Sequence, residues 1–181
     1  MTTLEAINNM LLAINEQPVP VLDKSIAEVK IALDILEQTL ELVLTEGWHF
    51  NSESDVELYP DSRGYIYVPL NALYVDPTDR YKNCTVREGK LYDKDRHSFI
   101  FETPVKVDII YKLPFDELPI YAQKYISEKA ARIFIAQTFG DPQLYQYQSQ
   151  EEIEAYTTLV SREIDAGDHN LLESYRGYLN G

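Results

Sequence analysis

The sequence predicts an α+β fold: an antiparallel four-helix bundle with a small antiparallel β-sheet lobe inserted between its second and third helices. Three observations predict it. Apolar residues recur at steps of three and four in the stretches 4–43 and 122–164. Between them, 54–112 changes to period two or to short apolar runs bounded by turn residues. Finally, Gly47 closes the second helical stretch and Pro119 opens the third, and both residue types punctuate regular structure. The implied division is 1–53 for helices one and two, 54–113 for the lobe, 114–167 for helices three and four, and 168–181 for a C-terminal docking tail.

The first helix is announced by Thr2 with Glu5 at capping-box spacing, followed by the stripe Leu4, Ile7, Leu11, Ile14. Pro18 and Pro20 end it and force an extended link. Ser25 and Glu28 form a second capping-box pattern. After it Ile26, Val29, Leu33, Leu36, Leu40 and Val43 keep a heptad stripe, which Ile31, Ile35 and Leu42 widen enough for more than one neighbour. In the lobe, Tyr65-Ile66-Tyr67-Val68 reads as a strand ending at Pro69. Glu88-Gly89 reads as the turn of a hairpin between Thr85-Val86 and Leu91-Tyr92. Val105, Val107, Ile109 and Tyr111 alternate with Lys106, Asp108, Ile110 and Lys112, the clearest strand of the chain. Asp61-Ser62-Arg63-Gly64 and Asp76-Pro77-Thr78-Asp79 read as turns.

The third helix is expected to start with Pro119 at its first position and to bury Ala122, Ile126, Ala130 and Ile133 before Gly140 stops it. Asp141-Pro142 then supplies an N-cap and first-turn proline for a fourth helix over 142–166, folded back on the third as a hairpin. Its apolar line is thin: Leu144, Tyr147, Glu151, Ala155, Leu159, Ile164. Gly167 is placed as its C-cap, a position that favours the left-handed conformation. Asp165 and Asp168 crowd the helix end that carries partial negative charge, where carboxylates are disfavoured. That conflict points to a segment serving a partner surface. Beyond it, Leu171, Leu172, Tyr175, Tyr178 and Leu179 are apolar or tyrosine residues suited to docking, either on another chain or on the chain's own bundle.

Composition narrows the function. The 181 residues suit one domain or one domain with an appended lobe, and 45% hydrophobic content is globular. Net charge is −14, and no basic patch marks a nucleic-acid binder. The acids gather at the ends: nine acids against two bases in 1–53, and eight against two in 141–181. Either these are solvated helix faces or several copies line a common acidic surface. The lone Cys84 rules out an intrachain disulfide. The N-terminus lacks the pattern of a signal peptide, and no apolar stretch approaches the roughly 20 residues that span a bilayer.

No chemistry stands out. His49, His97 and His169 have no metal-ligand spacing, and His49 beside Trp48 reads as a packed junction residue. Asp93-Lys94-Asp95 lacks the glycine and distal glutamate of a calcium loop. No phosphate loop or nucleophile motif is present. Glu151 with Glu152, and Asp116 with Glu117, are the acidic pairs a glycan hydrolase would need, but the favoured reading of both is helix-start acids and surface solvation. No catalytic residue, metal or cofactor is expected. Tyrosine is overused, with fourteen copies, and Tyr145, Tyr147 and Tyr156 on a thinly apolar helix point to contact between subunits.

One resemblance runs along most of the chain. Glu163-x-Asp165-x-Gly167-Asp168-x-Asn170-Leu171-Leu172 resembles the C-terminal signature of the tail tubular protein A family of short-tailed phages. Leu11-Leu12-Ala13-Ile14-Asn15-Glu16-Gln17-Pro18-Val19 is similar to that family's first-helix exit, where glycine is more usual than Asn15. Gly47-Trp48-His49-Phe50-Asn51 is similar to its helix-to-sheet junction. Leu91-Tyr92-Asp93, Phe115-Asp116-Glu117-Leu118-Pro119, Lys129-Ala130-Ala131-Arg132-x-Phe134 and Gly140-Asp141-Pro142 follow in order, while 51–83 carries no family motif.

The resemblance implies a head-to-tail adaptor: a ring of about twelve copies joining the portal to a tail nozzle of the tail tubular protein B type. The genome would pass through its lumen without sequence-specific binding, in the virion and, during assembly, in the host cytoplasm, with no membrane involved. It implies portal contacts at Asp168, Asn170, Leu171, Leu172, Tyr175 and Tyr178. The competing readings are a virion glycan hydrolase and a monomeric helical-bundle binding module.

Overall fold

The computed structural model describes residues 1–79, 83–138 and 140–179, with side chains as far as 166. Helices and antiparallel strands coexist, as expected of an α+β fold. The chain forms two compact units: Met1–Val43 with Pro114–Gly181, and Leu44–Leu113.

The helical unit opens with α1 (Thr3–Ala13). Its capping box is formed as expected, Thr2 Oγ1 accepting from Glu5 N–H and Glu5 accepting from Thr2 N–H at 2.7 Å. The helix exits through a Schellman turn, with Glu16 N–H bonded to Leu11 O and Asn15 N–H to Leu12 O. Asn15 holds φ +61°, taking the left-handed place that glycine more often fills. The start of α1 is tied to the entry of α3 (Ile120–Thr138). Thr3 donates to Asp116 Oδ1 from both its backbone and its hydroxyl, at 2.6 and 2.9 Å. The buried Gln123 accepts from the N-terminal ammonium at 2.8 Å and donates to Phe115 O at 3.0 Å. α3 packs against α1 and along α4 (Pro142–Leu179).

Helix α2 (Ala27–Leu44) buries Val29, Ala32, Ile35, Leu36, Leu40 and Val43. Ile26, Ile31 and Leu42 stay exposed, so the stripe is narrower than the sequence suggests. The helix also starts later than a cap at Ser25 would set. The turn before it is organised by Asp23, which accepts from Ser25 N–H through its carboxylate and from Ile26 N–H through its carbonyl.

In the second unit, β1 (Ser52–Leu58), β5 (Val105–Tyr111) and β2 (Ala72–Pro77) form an antiparallel sheet in the order β1-β5-β2. β3 (Cys84–Arg87) and β4 (Lys90–Asp93) form the expected hairpin. Its turn residues Glu88 and Gly89 both have positive φ, the geometry that matches strand twist in a two-residue loop. Val105, Val107 and Ile109 on alternate positions of β5 make the core with Ile66 and Leu91.

Two expectations are corrected here, and one strand is added. Tyr65-Ile66-Tyr67-Val68 is not a strand. It touches its neighbours through isolated bridges, Tyr65 to Ile100 and Tyr67 to Lys90, because Pro69 has no N–H to extend a ladder. Asp76 and Pro77 belong to β2 and the bend comes after them; proline is tolerated at the end of an edge strand. The polar strand β1 escapes sequence reading because an edge strand need not be apolar. A bulge at Asp55, φ +57°, further breaks its alternation.

Asn51 and Gly47 fix the two ends of this unit. Buried Asn51 donates through Nδ2 to Leu44 O and to Tyr111 O, both at 2.9 Å, and accepts from Trp48 N–H at 2.8 Å. Gly47 holds φ +77°, and a Cβ there would lie 2.8 Å from Ile110 Cδ1. Trp48 is half-buried, but His49 is exposed rather than packed.

Replacing Asn51 by Ala is expected to destabilise this unit by about 2–4 kcal/mol, since one buried carbonyl, one part-buried carbonyl and one N–H lose their partner. A urea titration following Trp48 fluorescence measures it. Gly47→Ala is expected to cost at least about 1 kcal/mol from the left-handed backbone alone, with the Ile110 clash adding to it. The same titration, with Gly89→Ala as a control at an open positive-φ site, separates the two contributions.

Candidate functional site

The hairpin of α3 and α4 presents the face on which a partner could act. Gly140, φ +67°, ends α3, and Asp141 caps α4 by accepting from Gln143 and Leu144 N–H at 2.7 and 3.1 Å. Pro142 takes the first helical position as expected, while Pro119 lies one residue outside α3 and caps it through its carbonyl. The two helices run antiparallel, joined from one end to the other. Tyr121 donates to Glu163 at 3.2 Å, the Tyr125 and Tyr156 rings meet at 5.1 Å, and buried Gln148 donates to the Glu128 carboxylate. Near the turn, Glu152 receives the Arg132 guanidinium directly and Lys129 Nζ at 3.5 Å. Arg132 also donates to Tyr145 Oη at 2.9 Å, and its guanidinium lies 5.5 Å from the centre of that ring. The hydrogen bond to Glu152 holds the Arg132 pKa above its ordinary value.

These bonds bear on the acidic pairs. Glu152 is neutralised by two cations, and Asp116 is occupied by Thr3. Asp93 accepts from the backbone of Asp95 and Arg96, and Asp95 from Asn83. Among the described residues no group of three side chains could hold a metal ion.

The tyrosines expected at subunit contacts divide. Tyr145 and Tyr156 are part-exposed and also packed within the hairpin, whereas Tyr147 is 65% exposed. α4 does not end at Gly167. It continues to Leu179, because a glycine within a helix costs only about 1 kcal/mol and need not stop it. The side chains of Asp168, Asn170, Leu171, Leu172, Tyr175 and Tyr178 lie outside the described residues.

The buried face of α4 holds the expected Ala155 and Leu159, while Tyr147 and Ile164 of the expected line lie off it. Gln148, Ala155 and Leu159 are buried, while Ile153 and Ile164 are each 58% exposed. The signal for the outer line was present, since Ile153, Tyr156, Val160 and Ile164 step by three, four and four.

Charge divides by unit. The helical unit holds eighteen acids and seven bases, net −11, and the other holds twelve and nine, net −3. In the second unit several bases rest on aromatic rings. Arg63 and Lys90 lie 5.1 Å from the Tyr65 ring centre, Lys90 is 5.1 Å from Phe99, and Arg87 is 4.0 Å from Tyr92.

Comparison with known proteins decides the family. The family model described as "Tail tubular protein" matches residues 4–169, which takes in both units. The chain belongs to the tail tubular protein family. It is 31% identical over 164 residues to tail tubular protein A of Klebsiella phage KP34, covering 90% of this chain and 87% of that one. Family membership makes it a structural protein of a phage tail, carried in the virion. No helix among the described residues is long and apolar enough to cross a membrane.

Within this family's chain the α3–α4 clasp is the part most open to a direct test. Glu152→Ala leaves Arg132 and Lys129 half-buried and without their shared acid, at an expected cost of about 1–3 kcal/mol. Glu152→Gln should recover part of that loss. Thermal unfolding of the two variants beside the unaltered chain measures both.

Proposed function

We propose that the chain is the head-to-tail adaptor of its virion, a ring of about twelve copies joining the portal to the tail nozzle and forming part of the DNA conduit. The observation that carries the proposal is the family match over nearly the whole chain, helical unit and sheet unit alike. In this reading the helical unit is an antiparallel four-helix bundle. Together with 168–181 it faces the portal, while the sheet unit faces the nozzle. Portal contacts fall on Asp168, Asn170, Leu171, Leu172, Tyr175 and Tyr178, and Tyr145, Tyr147 and Tyr156 serve contacts between copies.

Charge supports the conduit. Twelve copies at −14 carry on the order of −170 charges before counterions. A lumen lined by such subunits repels phosphate, so DNA slides instead of sticking, and binding would be the wrong property for a channel. The same charge opposes assembly, so salt should promote association of the free chain and the portal should template it.

Light scattering of the purified chain, alone and with the portal ring of its own virus, tests this. The expected result is a monomer, or a salt-promoted oligomer, that joins the portal in about twelve copies. A chain that stays monomeric beside the portal at every salt concentration would sink the proposal. It would favour the binding-module reading.

A further inference from the structure

We propose that β1 is a guarded edge: its bulge and its alternating carboxylates keep the free strand from pairing with the same strand of a second copy. The guard is a property of the chain by itself. Its use to assembly rests on the ring proposed above, because a two-fold dimer would draw chains away from that ring.

β1 lies at one edge of the sheet β1-β5-β2. Among the described residues no strand or isolated bridge covers its outer side. An open edge offers unpaired N–H and C=O groups to which another chain can add. The opposite edge is less open: β2 ends at Pro77, which has no N–H to give, and lies against β3. β1 has no proline among its seven residues. Val56 and Leu58 pack against the core of the unit, so the strand is fixed in place.

Two features of β1 oppose addition of a second strand. The first is the bulge. Glu53 stands opposite Ile109 and Val56 opposite Val107, so three steps on β1 match two on β5. The extra residue bends the strand, and Asp55 holds φ +57° there. Its N–H is bonded to Asp108 Oδ1 of β5 at 3.1 Å, so this donor is turned away from an incoming strand.

The second feature is charge. Glu53, Asp55 and Glu57 stand at every second position, and all three are exposed. Paired antiparallel with itself about Asp55, the strand would set Glu53 against Glu57 twice and Asp55 against Asp55. Moving the centre by one residue either way still leaves an acid against an acid, Glu53 with Asp55 or Asp55 with Glu57. Like charges directly opposite each other are destabilising. Lys106, opposite Glu57 within the sheet, offsets one of the three. Tyrosine hydroxyls hold two of the carboxylates, Tyr111 donating to Glu53 at 3.3 Å and Tyr59 to Glu57. Acidic residues are poor strand formers, so β1 carries them against its own propensity.

In a cyclic ring each contact joins two different surfaces of neighbouring copies. A β1–β1 pair is two-fold and joins like to like, so it has no place in such a ring. The guard removes that pairing and leaves the free chain available to its template.

The test uses the full chain without the portal. One variant deletes Asp55, which restores an even register with β5, and carries Glu53→Thr and Glu57→Thr. In analytical ultracentrifugation it is expected to dimerise at concentrations about ten-fold or more below those at which the unaltered chain associates, with slowed amide exchange along β1. A second variant, Glu53→Gln with Asp55→Asn and Glu57→Gln, keeps the bulge, since Asn tolerates the left-handed conformation. It should associate more tightly than the unaltered chain and less tightly than the first variant. Two outcomes overturn the inference: variants that associate no more than the unaltered chain, or dimers whose β1 amides exchange as fast as in the monomer. If the deletion unfolds the sheet unit, the second variant decides by the same two outcomes. Joining to the portal is scored separately. A chain that shows the guard but joins no portal sinks the adaptor reading and leaves the guard standing.

Discussion

Closing a long insertion is the constraint on which the sheet unit depends. The chain enters this unit at Leu44 and leaves at Leu113, an excursion of about 70 residues. Bringing the ends of a flexible loop of that length together costs about 4 kcal/mol in chain entropy, before any strand pairs. Asn51 meets that cost at the point where the ends converge. One carboxamide bonds the carbonyl of Leu44 on the way in and that of Tyr111 on the way out, and its oxygen holds the Trp48 N–H. The pairing of β1 with β5 begins next to it, Ser52 opposite Ile110. Gly47 serves the same closure from the other side, because only a residue without Cβ lets the backbone lie against Ile110. The Gly-Trp-His-Phe-Asn run is thus a device for shutting the insertion. Its glycine and asparagine do the closing, while the histidine between them faces outward.

The helical unit is held by a different means. α3 and α4 bury Ile126, Phe134, Ile135 and Leu159, and polar groups spaced along their length supplement the packing: Tyr121 with Glu163, Gln148 with Glu128, and Glu152 with Arg132 and Lys129. Such pairs specify register. A one-turn slip would separate all of them at once, and each half-buried charge would lose its partner. The clasp also takes up Glu152, one member of an acidic pair singled out in the sequence. It turns Ile153 and Ile164 outward as well, on a protein whose remaining surface is strongly acidic.

An acidic, structurally committed chain suits the proposed conduit. Among the described bases of the sheet unit, Arg63, Arg87, Lys90 and Arg96 lie against its own aromatic rings or acids. In the α3–α4 hairpin Lys124 pairs with Glu128, and Lys129 and Arg132 with Glu152. In the proposed ring, those cations would be less available to passing DNA. Repulsion between copies is the consequence, and a template that raises the local concentration of subunits offsets it.

Much of the local structure was legible in the sequence because its signals are local. The Thr2–Glu5 box, the Asp141-Pro142 start, the Glu88-Gly89 turn and the alternation of β5 each depend on a few adjacent residues and on backbone stereochemistry, and each forms as read. The family, too, could be read from short motifs in order. Tertiary structure decided what periodicity leaves open. β1 is a strand because β5 offers it a partner, although its own residues are mostly polar. Tyr65–Val68 fails as a strand because its neighbours meet it only at single points. The face of α4 that is buried was fixed by α3, whose Glu128 and Arg132 draw Gln148 and Glu152 inward and leave the stronger apolar line outside. Sequence alone thus determined where the chain turns and caps. Which side of a helix is core, and so which side is free for another molecule, was settled only when a second element arrived to cover one of them.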